Sequence, residues 1–180
     1  MSYVDPGTFS YGELLTGSEM ETIADDIRWL HDEANGGAFC GVSVSGAWYG
    51  PGSDAWSDVP WTADPVDVSL WWSGSVGDAA LTVPVSAVPS GATSVVLECL
   101  AMAAFDANGT GYRALQMTQN GTRVESTVVV SGVTGDTTVV SGTFWAICAA
   151  RDVLRAQLRQ SSGDYLNAVV RLHVKRIGSL

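Results

Sequence analysis

The sequence predicts a mainly β protein, an antiparallel β-sandwich or jelly roll preceded by an extended N-terminal arm and one α-helix. From residue 38 onward, apolar residues alternate with polar ones or form short runs, broken by Gly, Asn and Pro roughly every ten residues. The clearest helical period lies in residues 18–34. Charged residues are 16% of the 180 residues, whereas an average soluble domain has roughly 25%. Strands faced with Ser, Thr and Gly explain this low charge better than a helical bundle does.

Residues 1–37 are predicted to form the arm and the helix. Pro and Gly interrupt residues 1–15, which favours an extended chain. Ser18 and Glu21 form a capping box at the start of the helix. Asn35-Gly36-Gly37 ends it with residues that accept a positive φ. The apolar residues of the helix form one narrow stripe: Met20, Ile23, Ile27, Leu30 and Ala34.

A helix with so narrow a stripe needs a docking surface, because short isolated helices are marginally stable in water. The sequence leaves open whether that surface belongs to the following domain or to a partner. We predict that residues 1–37 form an attachment segment. Its partner contacts are expected from the apolar and aromatic residues Phe9, Tyr11, Leu14, Leu15, Ile23, Ile27 and Leu30.

Residues 38–180 are predicted to form the sandwich, in nine strands with no intervening helix. Turn-forming pairs such as Asn108-Gly109 and Asn120-Gly121 separate several of them. The predicted strands are Cys40–Trp48, Val66–Trp72, Ala80–Val85, Ser94–Ala104, Arg113–Gln119, Val124–Ser131, Thr137–Cys148, Val153–Gln160 and Asn167–Ile177.

The segment 151–160 fits two patterns. Its arginines recur every four residues, as on one face of a helix, but Leu154, Ala156 and Leu158 alternate with polar residues, as in a strand. The neighbouring strands and the turn at 161–164 favour a strand.

Aromatic residues are densest between residues 48 and 72, among Gly, Pro and Asp residues. Three interpretations stay open: the tryptophans close one end of the core, form a subunit interface, or stack on sugar rings. We treat four of these residues as a candidate ligand or interface loop: Trp48, Tyr49, Trp56 and Trp61.

The formal net charge of −10 argues against binding to nucleic acids and to anionic membranes, since both need a basic surface. Residues 1–110 hold fifteen acidic residues and one base, Arg28, whereas residues 111–180 hold four acidic residues and eight bases. No apolar run reaches the roughly 18 residues of a membrane span. We expect no signal peptide, and we expect three reduced thiols at Cys40, Cys99 and Cys148.

No catalytic motif is present in the sequence. His31 and His173 have no cysteine or acidic pair at a spacing typical of an activated nucleophile. The aspartates at positions 54, 58, 64 and 67 match no Ca²⁺ loop. We therefore expect no enzyme activity, no cofactor and no metal.

Two stretches resemble the C1q/TNF-like jelly rolls of bacteriophage structural proteins. Gly111–Gly121 (GYRALQMTQNG) is similar to the family's G-x-R-x-x-x-I-x-x-N-G strand and turn. Ala150-Arg151-Asp152 with Gln160–Gly163 is similar to its G-D turn, long strand and Q-x-S-G turn, although Arg151 stands where the family has Gly. Val169–Ile177 resembles the last strand, and residues 11–34 resemble an N-terminal element of tailed-phage virion proteins.

The resemblance implies a non-enzymatic virion structural protein, made in the cytoplasm of the host bacterium. It implies a homotrimer that contacts other virion proteins, such as major capsid or tail proteins, as a capsid decoration or minor tail protein. Residues expected near the threefold axis are Phe144, Trp145, Leu172 and Val174. The alternative is a receptor- or carbohydrate-binding module that uses the Trp-rich loop to bind a glycan of the host surface.

Overall fold

The computed structural model describes residues 39–44, 48–49, 54–67, 71–73 and 75–180, which form eleven β-strands and one 3-10 turn at Val85–Ala87. The predicted arm and helix at residues 1–37 lie outside the described residues. In chain order the strands are β1 (Phe39–Ser43), β2 (Trp48–Tyr49), β3 (Ser57–Asp58), β4 (Ala63–Asp67), β5 (Leu81–Thr82), β6 (Val95–Phe105), β7 (Tyr112–Gln119), β8 (Thr122–Ser131), β9 (Thr138–Cys148), β10 (Val153–Gln160) and β11 (Asn167–Ser179).

The strands form two antiparallel sheets. The first sheet has the order β4-β1-β11-β6-β9, and β2 pairs with the start of β11. The second sheet has the order β3-β10-β7-β8, and β5 pairs with the start of β10. After the hairpin of β7 and β8, the chain enters the first sheet at β9, the second at β10 and the first again at β11. These crossings confirm the predicted antiparallel sandwich.

The core lies between the two sheets and is built by strict alternation along the strands. In β11 every second residue from Ala168 to Arg176 is buried, and β6 buries every second residue from Val95 to Phe105. The largest fully buried apolar side chains include Trp61, Trp71, Phe105 and Phe144. Cys40, Cys99 and Cys148 are buried thiols, as the sequence predicts, and burial raises the pKa of Cys148 to about 12.

The strand predictions hold best in the second half of the chain. β6 to β11 match the predicted spans to within two residues at each end, and the ambiguous segment 151–160 contains strand β10. Earlier strands are shorter than predicted. The predicted strand Cys40–Trp48 divides into β1 and β2, and Ala80–Val85 keeps only two strand residues because the chain turns at Val85.

A buried guanidinium explains the Gly-x-Arg part of the family-like motif. Arg113 is fully buried and donates to the backbone carbonyl oxygens of Asn108 (2.7 Å), Thr110 (3.0 Å) and Tyr112 (3.1 Å). Burial lowers the pKa of this guanidinium. Gly111 has a φ of 69°, and a Cβ there would lie 2.4 Å from the carbonyl oxygen of Ser161. The loop before β7 therefore needs a glycine to turn and an arginine to satisfy its carbonyls.

The turn before β10 contains Arg151, at the position where the resembling family has glycine. Arg151 adopts a φ of 72°, in the left-handed region. Asp152 fastens the turn through its carboxylate, which accepts hydrogen bonds from the Asn120 side chain (2.8 Å), the Gln119 side chain (2.8 Å) and the backbone N–H of Ala149 (2.9 Å). These bonds, led by that of Asn120, hold the pKa of Asp152 below its usual value.

We predict that Asp152→Ala lowers the free energy of unfolding by about 2 kcal/mol at neutral pH, since hydrogen bonds to a charged group are lost. A carboxyl with a depressed folded pKa stabilises the fold above its unfolded pKa, and this stabilisation is lost as the pH falls through the folded value. The difference between variant and wild type should therefore shrink at about pH 3. Urea unfolding of both proteins at neutral pH and at about pH 3 measures this difference in the free energy of unfolding.

Asp136→Ala is the matched control, because the Asp136 carboxylate accepts a hydrogen bond only from the adjacent Thr137 N–H within the described residues. Its effect should stay within about 0.5 kcal/mol of the wild type. An equal loss for Asp152→Ala at both pH values would contradict the role given to the carboxylate.

Candidate subunit interface

The side of the first sheet that points away from the core carries a large share of the exposed apolar side chains. We call this surface the outer face; it consists of the outward residues of β6, β9 and β11, such as Glu98, Trp145 and His173. Half of the large hydrophobic side chains that are exposed in the described part of the chain lie here: Leu100, Val139, Trp145, Ile147, Val169 and Ile177. Concentration of apolar groups on one face is typical of a surface that another protein covers.

The apolar residues lie mainly toward the free edge strand β9. Trp145 and Ile147 are 55% and 59% exposed, and they stand two residues apart on the same side of β9. On the neighbouring strand β6, Leu100 is half exposed and faces Thr143 of β9 in the register. This half of the outer face offers a broad aromatic and aliphatic surface with one acidic residue, Glu98, opposite Trp145.

The central strand of the same face is basic. Arg171, His173 and Lys175 alternate along β11 with buried residues, and all three are exposed. We call these three residues the basic row. On the far side of the row lie Gly41 and Ser43 of β1, which are small. Across the first sheet, the outward side therefore changes from apolar side chains at β9, to the basic row at β11, to small residues at β1.

The structure corrects the residues expected at the threefold axis. Trp145 is exposed on the outer face, but Phe144, Leu172 and Val174 are buried in the core of their own chain. The reason is the two-residue period of a strand, which sends adjacent residues to opposite faces. Trp145 and its neighbour Phe144 therefore cannot share a surface. The alternation from Trp145 to Ile147 is the sequence signal that separates the exposed residues of β9 from the buried ones.

The candidate Trp-rich loop does not form one surface. Trp61 is fully buried in the core, which corrects its assignment to a ligand or interface loop. Trp56 is partly exposed and lies against the second sheet. The backbone of Trp48 and Tyr49 forms β2, which pairs with Ala168 and Asn167, and their side chains lie outside the described parts.

Trp56 belongs to a cluster that holds residues 54–58 on the second sheet. The Arg159 guanidinium lies 5.9 Å from the ring centre of Trp56 and 5.6 Å from that of Tyr112, within the range of cation–π attraction. Arg159 Nε donates to the Asp54 carboxylate at 2.6 Å, and the Tyr112 hydroxyl donates to the same oxygen. Together these bonds, that of Arg159 first, lower the pKa of Asp54 to about 2.

A ladder of polar side chains crosses the outward side of the second sheet. Thr127 donates to Gln116 (3.2 Å), Gln116 donates to Gln157 (2.7 Å), and Gln157 donates to Asp58 (2.7 Å). Arg155 completes the ladder with its Nε 3.4 Å from the Asp58 carboxylate. These polar groups already have hydrogen-bond partners in one another. This surface is therefore a weaker candidate for an interface than the outer face of the first sheet.

An open cleft of about 540 Å³ adjoins the apolar half of the outer face. Trp145 and Ile147 of β9 form one wall, and the β7–β8 turn with Arg123 forms the other. The cleft lies where the two sheets meet along their free edges, β8 and β9. It extends the apolar surface around the edge of the sandwich and adds one cation.

The described residues contain no group of three His, Cys, Asp or Glu side chains placed to hold a metal ion. A search of the same residues for a helix of sufficient length and apolarity to cross a membrane also found none.

Comparison with known proteins shows the fold. No protein-family model and no curated protein matches the chain. Among solved structures, it is similar to the globular domain of zebrafish complement 1qA protein, with a TM-score of 0.53 and 13% identity over 75% of this chain and 94% of that chain. Murine APRIL (TM-score 0.46, 9% identity, 74% and 97% coverage) and the vertex protein P5 of phage PRD1 (0.46, 18%, 79% and 100%) are more distant in structure. The first likeness shows that the described sandwich has the jelly-roll fold of that globular domain.

Proposed function

We propose that the chain is a non-enzymatic structural protein of a tailed-phage virion, which assembles as a homotrimer and acts as a capsid decoration or minor tail protein. The observation that carries the proposal is the apolar half of the outer face, with Trp145 and Ile147 more than half exposed. The phage assignment is supported by the sequence resemblance in residues 11–34 and 94–180. Residues 1–37 attach the trimer to a capsid or tail protein.

Self-association gives the apolar half of the outer face a partner. Burial of apolar surface contributes about 25 cal/mol per Å², so covering an exposed Trp and an exposed Ile is worth about 1–2 kcal/mol each. Around a threefold axis each interface joins two different surfaces of the same chain. The β8–β9 edge with its cleft and the outer face beyond it are two such surfaces, and they meet at Trp145.

The attachment role of residues 1–37 follows from their composition. Their predicted apolar stripe is too narrow to stabilise an isolated helix and therefore needs a partner surface. The arm before it adds the aromatic residues Phe9 and Tyr11, which contribute large contact areas at low entropy cost.

We predict that the purified protein has the mass of a trimer by light scattering at micromolar concentration, and that Ile147→Glu weakens the assembly by about tenfold or more, because a charge would be buried without a partner. Val129→Glu is the matched control. Val129 is 56% exposed, close to the 59% of Ile147, but it lies on β8 of the second sheet. A wild-type monomer, or equal effects of the two variants, would contradict the proposed interface.

We predict that deletion of residues 1–36 abolishes attachment to phage particles and leaves the sandwich folded, since all eleven strands of the described residues lie at residue 39 or beyond. Co-sedimentation with particles measures attachment, and circular dichroism measures folding. In the full-length chain, Ile23→Ser with Ile27→Ser should weaken attachment in the same direction. Truncated protein that still sediments with particles would show that the anchor lies elsewhere.

A further inference from the structure

The basic row on β11 needs an explanation beyond the apolar contacts of the outer face. Arg171 and Lys175 are four residues apart on one strand, a distance of roughly 13 Å, with His173 between them. Glu98 is the acidic residue next to the row, opposite Lys175. The other acidic residues in strands of this sheet, Asp64 and Asp67, belong to β4, two strands away. A partner for Arg171 and Lys175 should therefore be acidic.

The chain itself contains an acidic segment immediately before β1. Residues 1–38 have one base, Arg28, and eight acidic residues: Asp5, Glu13, Glu19, Glu21, Asp25, Asp26, Asp32 and Glu33. In the predicted helix, the face that carries Glu21, Asp25 and Asp32 also carries Arg28 and remains acidic. Asp25 and Asp32 are seven residues apart, at a distance of about 10 Å. That spacing is close to the span of the basic row. The same helical period puts the stripe of Ile23, Ile27 and Leu30 on the opposite face.

The connection between segment and row is short. The predicted helix ends at residue 34, and β1 begins at Phe39, whose partner across the sheet is Lys175. Four residues span at most about 14 Å, so the end of the helix stays close to one end of the row. Asn35-Gly36-Gly37 supplies the residues that a reversal of the chain needs. A tether of this length gives an effective concentration of roughly millimolar, which compensates for the weakness of individual surface ion pairs.

We propose that the acidic face of residues 18–34 docks on the basic row of its own chain, with Asp25 and Asp32 against Arg171 and Lys175. Docked in this way, the helix turns its apolar stripe away from the sheet. The contact requires only that the acidic and the basic residues lie on the same chain, so it can be tested independently of the proposed virion role.

Trypsin measures the docking directly, because Arg28 is the single Lys or Arg before Arg113. Cleavage after Arg28 in the full-length protein should be slow at low salt. Arg171→Glu with Lys175→Glu should raise its rate about fivefold, the equivalent of two or three surface ion pairs. Asp25→Asn with Asp32→Asn should give the same increase from the other side of the contact and leaves the sheet unchanged.

Sodium chloride at about 0.5 M should accelerate cleavage of the wild type but not of either variant, after normalisation to a small trypsin substrate.

Arg151→Glu is the matched control for the single reversal Lys175→Glu, because it makes the same change in charge at an exposed position outside the outer face. Its cleavage rate should equal that of the wild type. Rates that are the same in the wild type and both test variants overturn the proposal. Protection that disappears on dilution overturns the placement on the same chain, since an intramolecular contact does not depend on concentration. Light scattering of the same samples reports the trimer independently.

Discussion

The central strand β11 is the constraint on which the rest of the molecule depends. It pairs with β1 and β2 on one side and with β6 on the other, and it follows all of them in the sequence. Its partners are distant in sequence, so the first sheet closes only after long loops have been ordered. The alternation of β11 also sends Leu172 into the core and the basic row to the outer face. One register therefore decides both the packing of the sandwich and the chemistry of its surface.

The fold could be predicted where local signals agree with each other. From β6 to β11, alternation, turn residues and length all point to strands, and the structure has strands there. Between residues 48 and 82 the sequence is rich in Trp, Pro and Asp, and the strands are short pieces at the edges of the sheets. Such short strands form because of the strands with which they pair, and their own sequences show little alternation of apolar and polar residues. The burial of Trp61 is a tertiary effect of this kind.

The residues expected at the threefold axis were chosen without regard to the two-residue period of a strand. Trp145 is exposed and Phe144 is buried, so the pair is read as one surface only if that period is ignored. The assignments of Leu172 and Val174 are wrong for the same reason, because an apolar residue in a sandwich is more often buried in the core than exposed at an interface. Exposure must be known before an apolar strand residue can be assigned to an interface. Polar residues between buried ones, such as Arg171 and Lys175, are the better guide to the outer face.

The basic excess of the last 70 residues has several distinct uses in the folded chain. Arg113 and Arg176 point inward and donate to backbone carbonyl oxygens. Arg155 and Arg159 pair with aspartates and fasten residues 54–58 to the second sheet. The number of bases that can meet a partner is therefore much smaller than the sequence count, and Arg171 and Lys175 are a main part of it.

The burial of the three thiols has a practical consequence as well. A thiol with a pKa as high as that of Cys148 is almost entirely protonated near neutral pH and reacts slowly with alkylating reagents. A single cysteine engineered on the outer face would consequently take up a fluorophore or spin label selectively, with the native cysteines left in place.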